Sequence, residues 1–558
     1  MSTLFQVSLC LLLVFPLSSS SASEDDALVN TSSGPIRGKH LTTASGLVTA
    51  FLGIPYAEPP VGKLRFQKPL PHQPWSHILE ASNFGNSCYQ GSIEISSYHE
   101  EVYSESLQSE DCLFLNVWVP HSQSSAPIPV LVWIHGGGFV QGTGSYDKSF
   151  LAAAENIIVA TMNYRLGALG FLSLPPDAPG NVGLWDQHLA LSWLRENIAA
   201  FGGDPNRLTL GGQSAGAASV GFHLLSPASQ HLFAQATLQS GAAVCPWAWV
   251  SPEEARTRGQ TLSQILGCDE NDDSAAVVTC LQTKNPGEMM NLPILRQETL
   301  LDLPFVPTTD GEFLPDDPQK LVDTGSFLVK PILTGFTSEE SSLFLIDKAP
   351  GFSKYNDSLI NRKQLLEGLH MVVPEASEMV TLAAAFIYSY GKDGKQRYRD
   401  ALVKASGDCL FLCPVAWVAR NMARAGCPVF AYSFIHRPSI VAAANWTGVP
   451  HCSELPFMLG FPLNMAEDNH TYTKAEVELS QRVMRYWGEF IRTGSPNGKT
   501  GGQWPVFTGR NFFSIDTESS LSARMSPTHY CIFWDFLITE ASRGLSRLWP
   551  AGEIQRPA

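Results

Sequence analysis

The chain has 558 residues, with 37 Lys and Arg against 52 Asp and Glu, a formal net charge of −15. That acidity, without any basic run able to track phosphates, excludes a nucleic-acid partner. With 44% hydrophobic and 16% charged residues, the composition is that of an ordinary globular protein with material for a large core.

Residues 7–17 form an apolar run of signal-peptide length followed by small residues, so 1–22 reads as a signal peptide cleaved near Ala22. The run is too short to span a bilayer comfortably, and no later segment is expected to do so. Residues 546–558 form a short tail without the hydrophobic stretch of a lipid anchor. Eleven cysteines and four sequons, at Asn30, Asn356, Asn445 and Asn469, suit a secreted glycoprotein.

From about residue 30 to 120 the pattern predicts short strands and loops, ending with Leu113 to Val119. Pro127 to Ile134 and Ile157 to Thr161 are apolar runs of buried-strand type. Gly183 to Ala200 has helical spacing. Leu208 to Leu210 predicts a short strand, and Ala215 to Leu225 a helix. Ala236 to Gln239, Pro331 to Thr334 and Val429 to Phe434 predict further core strands, the last of these being the final clear one. Residues 255–300 and 355–425 read as helical insertions beside a site. Tyr486, Trp487 and Phe490, then Phe533, Trp534 and Phe536, suggest C-terminal helices packed on the sheet. Strands alternating with helices predict an α/β fold, with a large, mostly parallel central sheet covered on both faces. No repeat or linker marks a domain boundary, so 23–545 reads as one domain.

Ser214 lies in Gly212-Gln213-Ser214-Ala215-Gly216, directly after the Leu208 to Leu210 run. This G-x-S-x-G pattern suits a sharp strand-to-helix turn that lifts a serine hydroxyl to a helix N-terminus. A serine needs a histidine to take its proton and a carboxylate to fix that histidine's tautomer. Glu339 and Glu340 both follow the strand Pro331 to Thr334. His370, His436, His451 and His470 all follow the serine, and His436 is nearest a strand end, so the residues alone leave both choices open. Gly136-Gly137-Gly138, after an apolar strand, could present bare backbone N–H groups to an oxyanion together with that of Ala215.

These residues resemble the type-B carboxylesterase and cholinesterase family, from about Ser33 to Leu537. The resemblance is carried by Phe51-Leu52-Gly53-Ile54-Pro55-Tyr56-Ala57, by Glu110-Asp111-Cys112-Leu113-Phe114-Leu115-Asn116-Val117, and by Phe201 through Gly216. It implies the α/β-hydrolase fold with helical cap insertions, and a serine carboxylic ester hydrolase working through an acyl-enzyme. It implies Ser214, Glu340 and His451 as the triad, Gly137, Gly138 and Ala215 as oxyanion donors, and the disulfides Cys88–Cys112, Cys268–Cys280 and Cys413–Cys531. Cys245, Cys409, Cys427 and Cys452 stay unassigned. No metal or organic cofactor is implied. The partner is a small-molecule ester, and monomer and homodimer both stay open.

Within the family the chain is most similar to vertebrate cholinesterases, as in Ala349-Pro350-Gly351-Phe352-Ser353-Lys354. It departs from them where a choline cation would sit. Between Cys88 and Cys112 there is no Trp, only Tyr89, Tyr98 and Tyr103. Gln213 stands where these enzymes have Glu, Leu343 replaces a cation-site aromatic, and Cys452 replaces the Gly after the histidine. Each lost aromatic removes roughly 0.5–2 kcal/mol of cation–π attraction. Trp247 matches an acyl-pocket Trp, while Leu301 and Leu303 fall near positions that set acyl size. The expectation is a secreted esterase acting on neutral esters. The alternatives are a true cholinesterase and, in another class, an inert adhesion protein.

Overall fold

The computed structural model describes residues 27–91, 107–122, 124–268, 273–290, 299–301, 303–464, 472–498, 504–518, 520–521 and 528–535. The signal-peptide segment, Tyr98, Tyr103, Asn469, His470, Phe536 and the tail 546–558 lie outside them.

Among the described residues, eleven strands form one sheet. In chain order they are β1 Lys39–Thr43, β2 Gly46–Pro55, β3 Phe114–Pro120, β4 Ile128–Ile134, β5 Ile158–Met162 and β6 Gly203–Gln213. They continue as β7 Gln235–Gln239, β8 Ile332–Thr337, β9 Val429–Phe434, β10 Phe513–Ile515 and β11 Ser520–Leu521. Their spatial order is β11-β10-β9-β8-β7-β6-β4-β5-β3-β2-β1. From β5 through β10 every neighbouring pair is parallel, and the antiparallel pairs sit at the two ends. The sheet is therefore mostly parallel, as the alternating pattern predicts.

Parallel strands are joined by crossovers that cover both faces, so their residues have no solvent side. In β4 all seven residues are buried. Successive side chains point to opposite faces, and Val130, Val132 and Ile134 enter one core while Leu131 and Trp133 enter the other. The first core is built with the helices Val182–Asn197 (α1) and Ala215–Leu225 (α2), the second with Lys474–Thr493 (α3). α3 is amphipathic. Leu479, Val483, Trp487 and Phe490 face the sheet, a Thr473–Glu476 capping box starts the helix, and Gly494 at φ 75° ends it.

Three differences from the sequence expectation have simple causes. The strand expected at Leu208 to Leu210 runs the length of Gly203–Gln213, because Gly203 also pairs with Ile128 of β4, beyond an irregular register that ends at Leu208. Strands β10 and β11 follow the last one expected, but at three and two residues they are too short to leave a periodic mark. Finally, Arg397–Arg424 is one helical run long and apolar enough to cross a bilayer by length and composition. It is instead a core element, with 94% of its most apolar window buried inside the protein.

Candidate active site

The strand β6 ends at Gln213 and α2 begins at Ala215. Ser214 between them has φ 58° and ψ −124°, a backbone state that an L-residue adopts only under constraint. The constraint is the close approach of three backbones. A Cβ on Gly216 would lie 2.1 Å from the Ile134 carbonyl oxygen, and one on Gly212 would lie 2.4 Å from Gly216. The turn is pinned by the Ser214 N–H, which donates to the Gln239 carbonyl at 2.8 Å. Ser214 keeps some exposure at the start of the helix, while Gln213 and Ala215 on either side are buried.

Beside it, β4 runs into Gly136-Gly137-Gly138. Gly137 and Gly138 have φ 104° and 62°. The loop is folded back on itself, with the Gln141 N–H donating to the Gly137 carbonyl at 3.0 Å. A Cβ on Gly137 would come within 2.1 Å of the Gln141 carbonyl oxygen. His135, at the root of the loop, is stacked on Tyr164 at 4.4 Å, and burial pushes its pKa down to about 4. It is neutral at physiological pH and adds no charge beside the glycines.

The carboxylate comes from the turn after β8. Glu340 Oε1 accepts from the Thr337 N–H at 2.8 Å, and Oε2 lies 2.5 Å from His451 Nδ1. Both residues are buried, at 1% and 4% exposure. Glu339, its chain neighbour, turns the other way. Its Oε2 accepts from the Val449 N–H at 2.8 Å and so holds the loop that carries the histidine. Arg437 braces the same loop through the carbonyls of Ala443 and Gly448, at 2.8 and 2.7 Å. Of the competing histidines, His436 is 3.1 Å from Glu476 at the start of α3, and His370 is exposed on a helix. Burial pulls the His451 pKa down, but Cys452 and Glu340 raise it well above the ordinary imidazole value.

On its other side, His451 Nε2 is 3.1 Å from the Gln213 side-chain nitrogen. Among the described residues the Ser214 hydroxyl makes no hydrogen bond. The histidine thus engages the carboxylate while the serine link stays unmade. Active-site hydrogen bonds are often loose without a ligand and tighten when substrate binds.

An aromatic wall closes over the imidazole. Phe411 and Phe344 lie 4.7 and 5.5 Å from the His451 ring and stack on each other at 5.8 Å. Trp247 joins the wall through Phe411 at 5.6 Å, and its Nε1–H donates to the Leu410 carbonyl. Leu303 reaches the glycine loop, since a Cβ on Gly138 would meet its Cδ2 at 2.7 Å. Leu301 packs half-buried on the main core, and Leu343 is buried one position before Phe344. Sequence reasoning missed Phe344, Phe411 and Gln239. Gln239 left a signal, as a polar residue ending a buried strand. Phe411 left none, because it lies on the π-helical segment Asp408–Leu412, far along the chain from the histidine.

Behind His451, Gln239 donates to Glu454 Oε1 at 3.1 Å and accepts from Trp487 Nε1 at 2.9 Å. Burial, then Cys452 and Glu340, pushes the Glu454 pKa up to about 8. Cys452 itself has φ 71°, in the left-handed region that a glycine occupies freely.

The bridges Cys88–Cys112, Cys268–Cys280 and Cys413–Cys531 are formed, while Cys245, Cys409, Cys427 and Cys452 are buried thiols. Asn30, Asn356 and Asn445 are exposed. Among the described residues no cluster of three or more His, Cys, Asp or Glu could hold a metal.

The model of the carboxylesterase family matches residues 25–534. The chain is 43% identical over 528 residues to an acetylcholinesterase of Bungarus fasciatus, covering 91% of this chain and 86% of that protein. It is 43% identical over 540 residues to a cholinesterase of Mus musculus, covering 94% and 89% of the two chains.

Proposed function

The chain belongs to the carboxylesterase family and is a carboxylic ester hydrolase of the α/β-hydrolase fold, and we propose that Ser214, His451 and Glu340 carry its reaction. The observation that carries this reading is the 2.5 Å contact between Glu340 and His451 Nδ1, beside a serine held at a strained strand-to-helix turn.

Glu340 holds the proton on Nδ1, which leaves Nε2 free to act as a base. The ring takes the Ser214 proton as the hydroxyl oxygen attacks the ester carbonyl. Negative charge then develops on the carbonyl oxygen, and we assign the N–H groups of Gly137, Gly138 and Ala215 to receive it. The imidazolium returns its proton to the leaving alcohol, and an acyl-enzyme remains. Water repeats the sequence in reverse and frees the acid. The Ala215 N–H lies in the first turn of α2, where the helix dipole also favours an anion.

We assign neutral esters as substrates. Gln213 brings no negative charge to the site, and Leu343 brings no aromatic face for a quaternary ammonium. The wall formed by Trp247, Leu303, Phe344 and Phe411 is apolar, which suits an acyl chain longer than acetyl. The 43% identity to two cholinesterases supports the second reading, choline esters. Three disulfides and exposed sequon asparagines support a secreted glycoprotein. A single sheet from Lys39 to Leu521 supports one domain over 23–545.

Purified protein is tested with a fluorescent phosphonate and with choline esters paired with their uncharged isosteres. Labelling of Ser214 and faster turnover of the uncharged esters are expected, with Ser214→Ala lowering kcat about 10⁴-fold or more. A clear preference for the cation would replace the neutral-ester assignment. Without labelling and turnover the hydrolase assignment to this triad falls, leaving an inert binding protein.

A further inference from the structure

The nitrogen of His451 that must accept the serine proton already has a partner. The Gln213 carboxamide nitrogen lies 3.1 Å from it, and both groups are buried. With Nδ1 engaged by Glu340 at 2.5 Å, the unprotonated ring offers only a lone pair at Nε2. An amide nitrogen can donate to that lone pair. A carboxylate at position 213 could not, because it has no hydrogen to give.

We propose, building on the triad assignment above, that Gln213 is a positioning residue: its amide docks the unprotonated imidazole of His451 at Nε2 and yields that nitrogen to the Ser214 hydroxyl when an ester binds. The other groups around the ring push the opposite way. Glu340, from the turn after β8, and Cys452, next in the chain, both favour the imidazolium. Glu454, on the same loop, interacts with Cys452 and Glu340. Tyr432 of β9 is coupled to Glu454 and Glu340, and Cys245, beyond β7, to Glu340. Phe344 and Phe411 present uncharged rings. His135 is neutral at the root of the glycine loop. Cys452 and Glu340 also hydrogen-bond the ring, in the sense that favours its charged form, whereas the Gln213 amide nitrogen meets Nε2 and can donate to it only when the ring is neutral. When it yields, the serine hydroxyl replaces one hydrogen bond to Nε2 with another, and the buried amide gives up its own.

The test is the pH profile of kcat/KM on an uncharged ester for the full-length wild type, Gln213→Met and Gln213→Glu. Methionine keeps the size and removes the donor. Glutamate removes the donor and adds a charge that favours the imidazolium. The acid limb is expected to move upward in the order wild type, Met, Glu. The Glu shift should be about one pH unit or more, which is about a tenfold loss at pH values below the limb. Phosphonate labelling of Ser214 in each variant reports a folded site. Uniform loss across the pH range with no movement of the limb would show a structural role only and overturn the proposal. If the variants do not fold, the wild type still decides. A ¹⁵N signal for His451 Nε2 that is unprotonated and hydrogen-bonded at pH values above the acid limb supports the docking, and an unprotonated Nε2 signal there that carries no hydrogen bond overturns it. A labelled Ser214 with coincident profiles removes this inference and leaves the esterase reading standing. A wild type that neither labels nor turns over removes both.

Discussion

The reacting end of the site and its pocket wall are built by different means. At the reacting end, backbone meets backbone. Gly136, Gly212, Gly216 and Gly241 each have a main-chain atom of a non-adjacent residue within 2.1 to 2.6 Å of where a Cβ would stand. In the wall, side chain meets side chain, with Trp247, Phe344, Phe411 and His451 rings 4.7 to 5.8 Å apart. The first region has no volume to give, so the type of reaction is fixed by strand geometry. The second can exchange one residue at a time, so the choice of ester can change while the chemistry stays. One fold can serve different substrates by this division.

The largest expected effect breaks the reacting end by charge alone. Glu340→Gln keeps the shape of the carboxyl but lets His451 adopt the wrong tautomer. A drop in kcat of about 10⁴ is expected, measured on any ester the wild type cleaves. Activity near the wild type would remove Glu340 from the triad. Gly216→Ala tests the backbone contact directly. Its Cβ would overlap the Ile134 carbonyl, and overpacking of this kind costs about 1–3 kcal/mol. A lower Tm and a smaller titratable fraction of Ser214 are expected. Unchanged values would mean that the turn is not as tight as its glycines indicate.

The same contrast governs what the sequence discloses. Close backbone approach demands glycine, so Gly212, Gly216 and the Gly136 to Gly138 loop stand out in the chain. The covered parallel sheet is equally legible, because β4 and β9 are buried on both faces and read as apolar runs. Side-chain direction leaves no such trace. Glu339 and Glu340 are adjacent, yet one holds Val449 and the other His451. His436 is nearer to a strand end than His451, yet it turns to Glu476 on α3. In the sequence, only the family resemblance separates these pairs. Phe411 was illegible for a further reason: its ring meets His451 across a separation of 40 residues, and nothing in either local segment marks the meeting.

Substitutions in the wall should alter preference rather than chemistry. Leu303→Phe would thicken the wall against Gly138. The ratio of kcat/KM for butyryl over acetyl esters should fall by about 10-fold or more, within the range that a methylene or two commands in an apolar pocket. An unchanged ratio would remove Leu303 from the acyl pocket. Leu343→Tyr restores an aromatic face. It should raise the ratio of choline ester to uncharged isostere by roughly 2- to 30-fold, the equivalent of 0.5–2 kcal/mol of cation–π attraction. No gain would place Leu343 away from the leaving group.

The smallest effect belongs to neither region but to the layer that joins them. Glu454 is buried behind the histidine, and its pKa is raised from 4.5 to about 8. Between those values the folded chain holds a proton that the unfolded chain has released. Stability from this group is therefore complete below about pH 4.5 and is lost as pH rises through about 8, with a slope approaching ~1.4 kcal/mol per pH unit in the middle of the window. Glu454→Gln carries no proton to lose and can still accept from Gln239. The difference in unfolding free energy between pH 5 and pH 8, measured by urea titration, should be smaller for the variant than for the wild type. Parallel pH curves would mean that Glu454 is already ionised beside Glu340, so that the imidazole faces two negative charges rather than one.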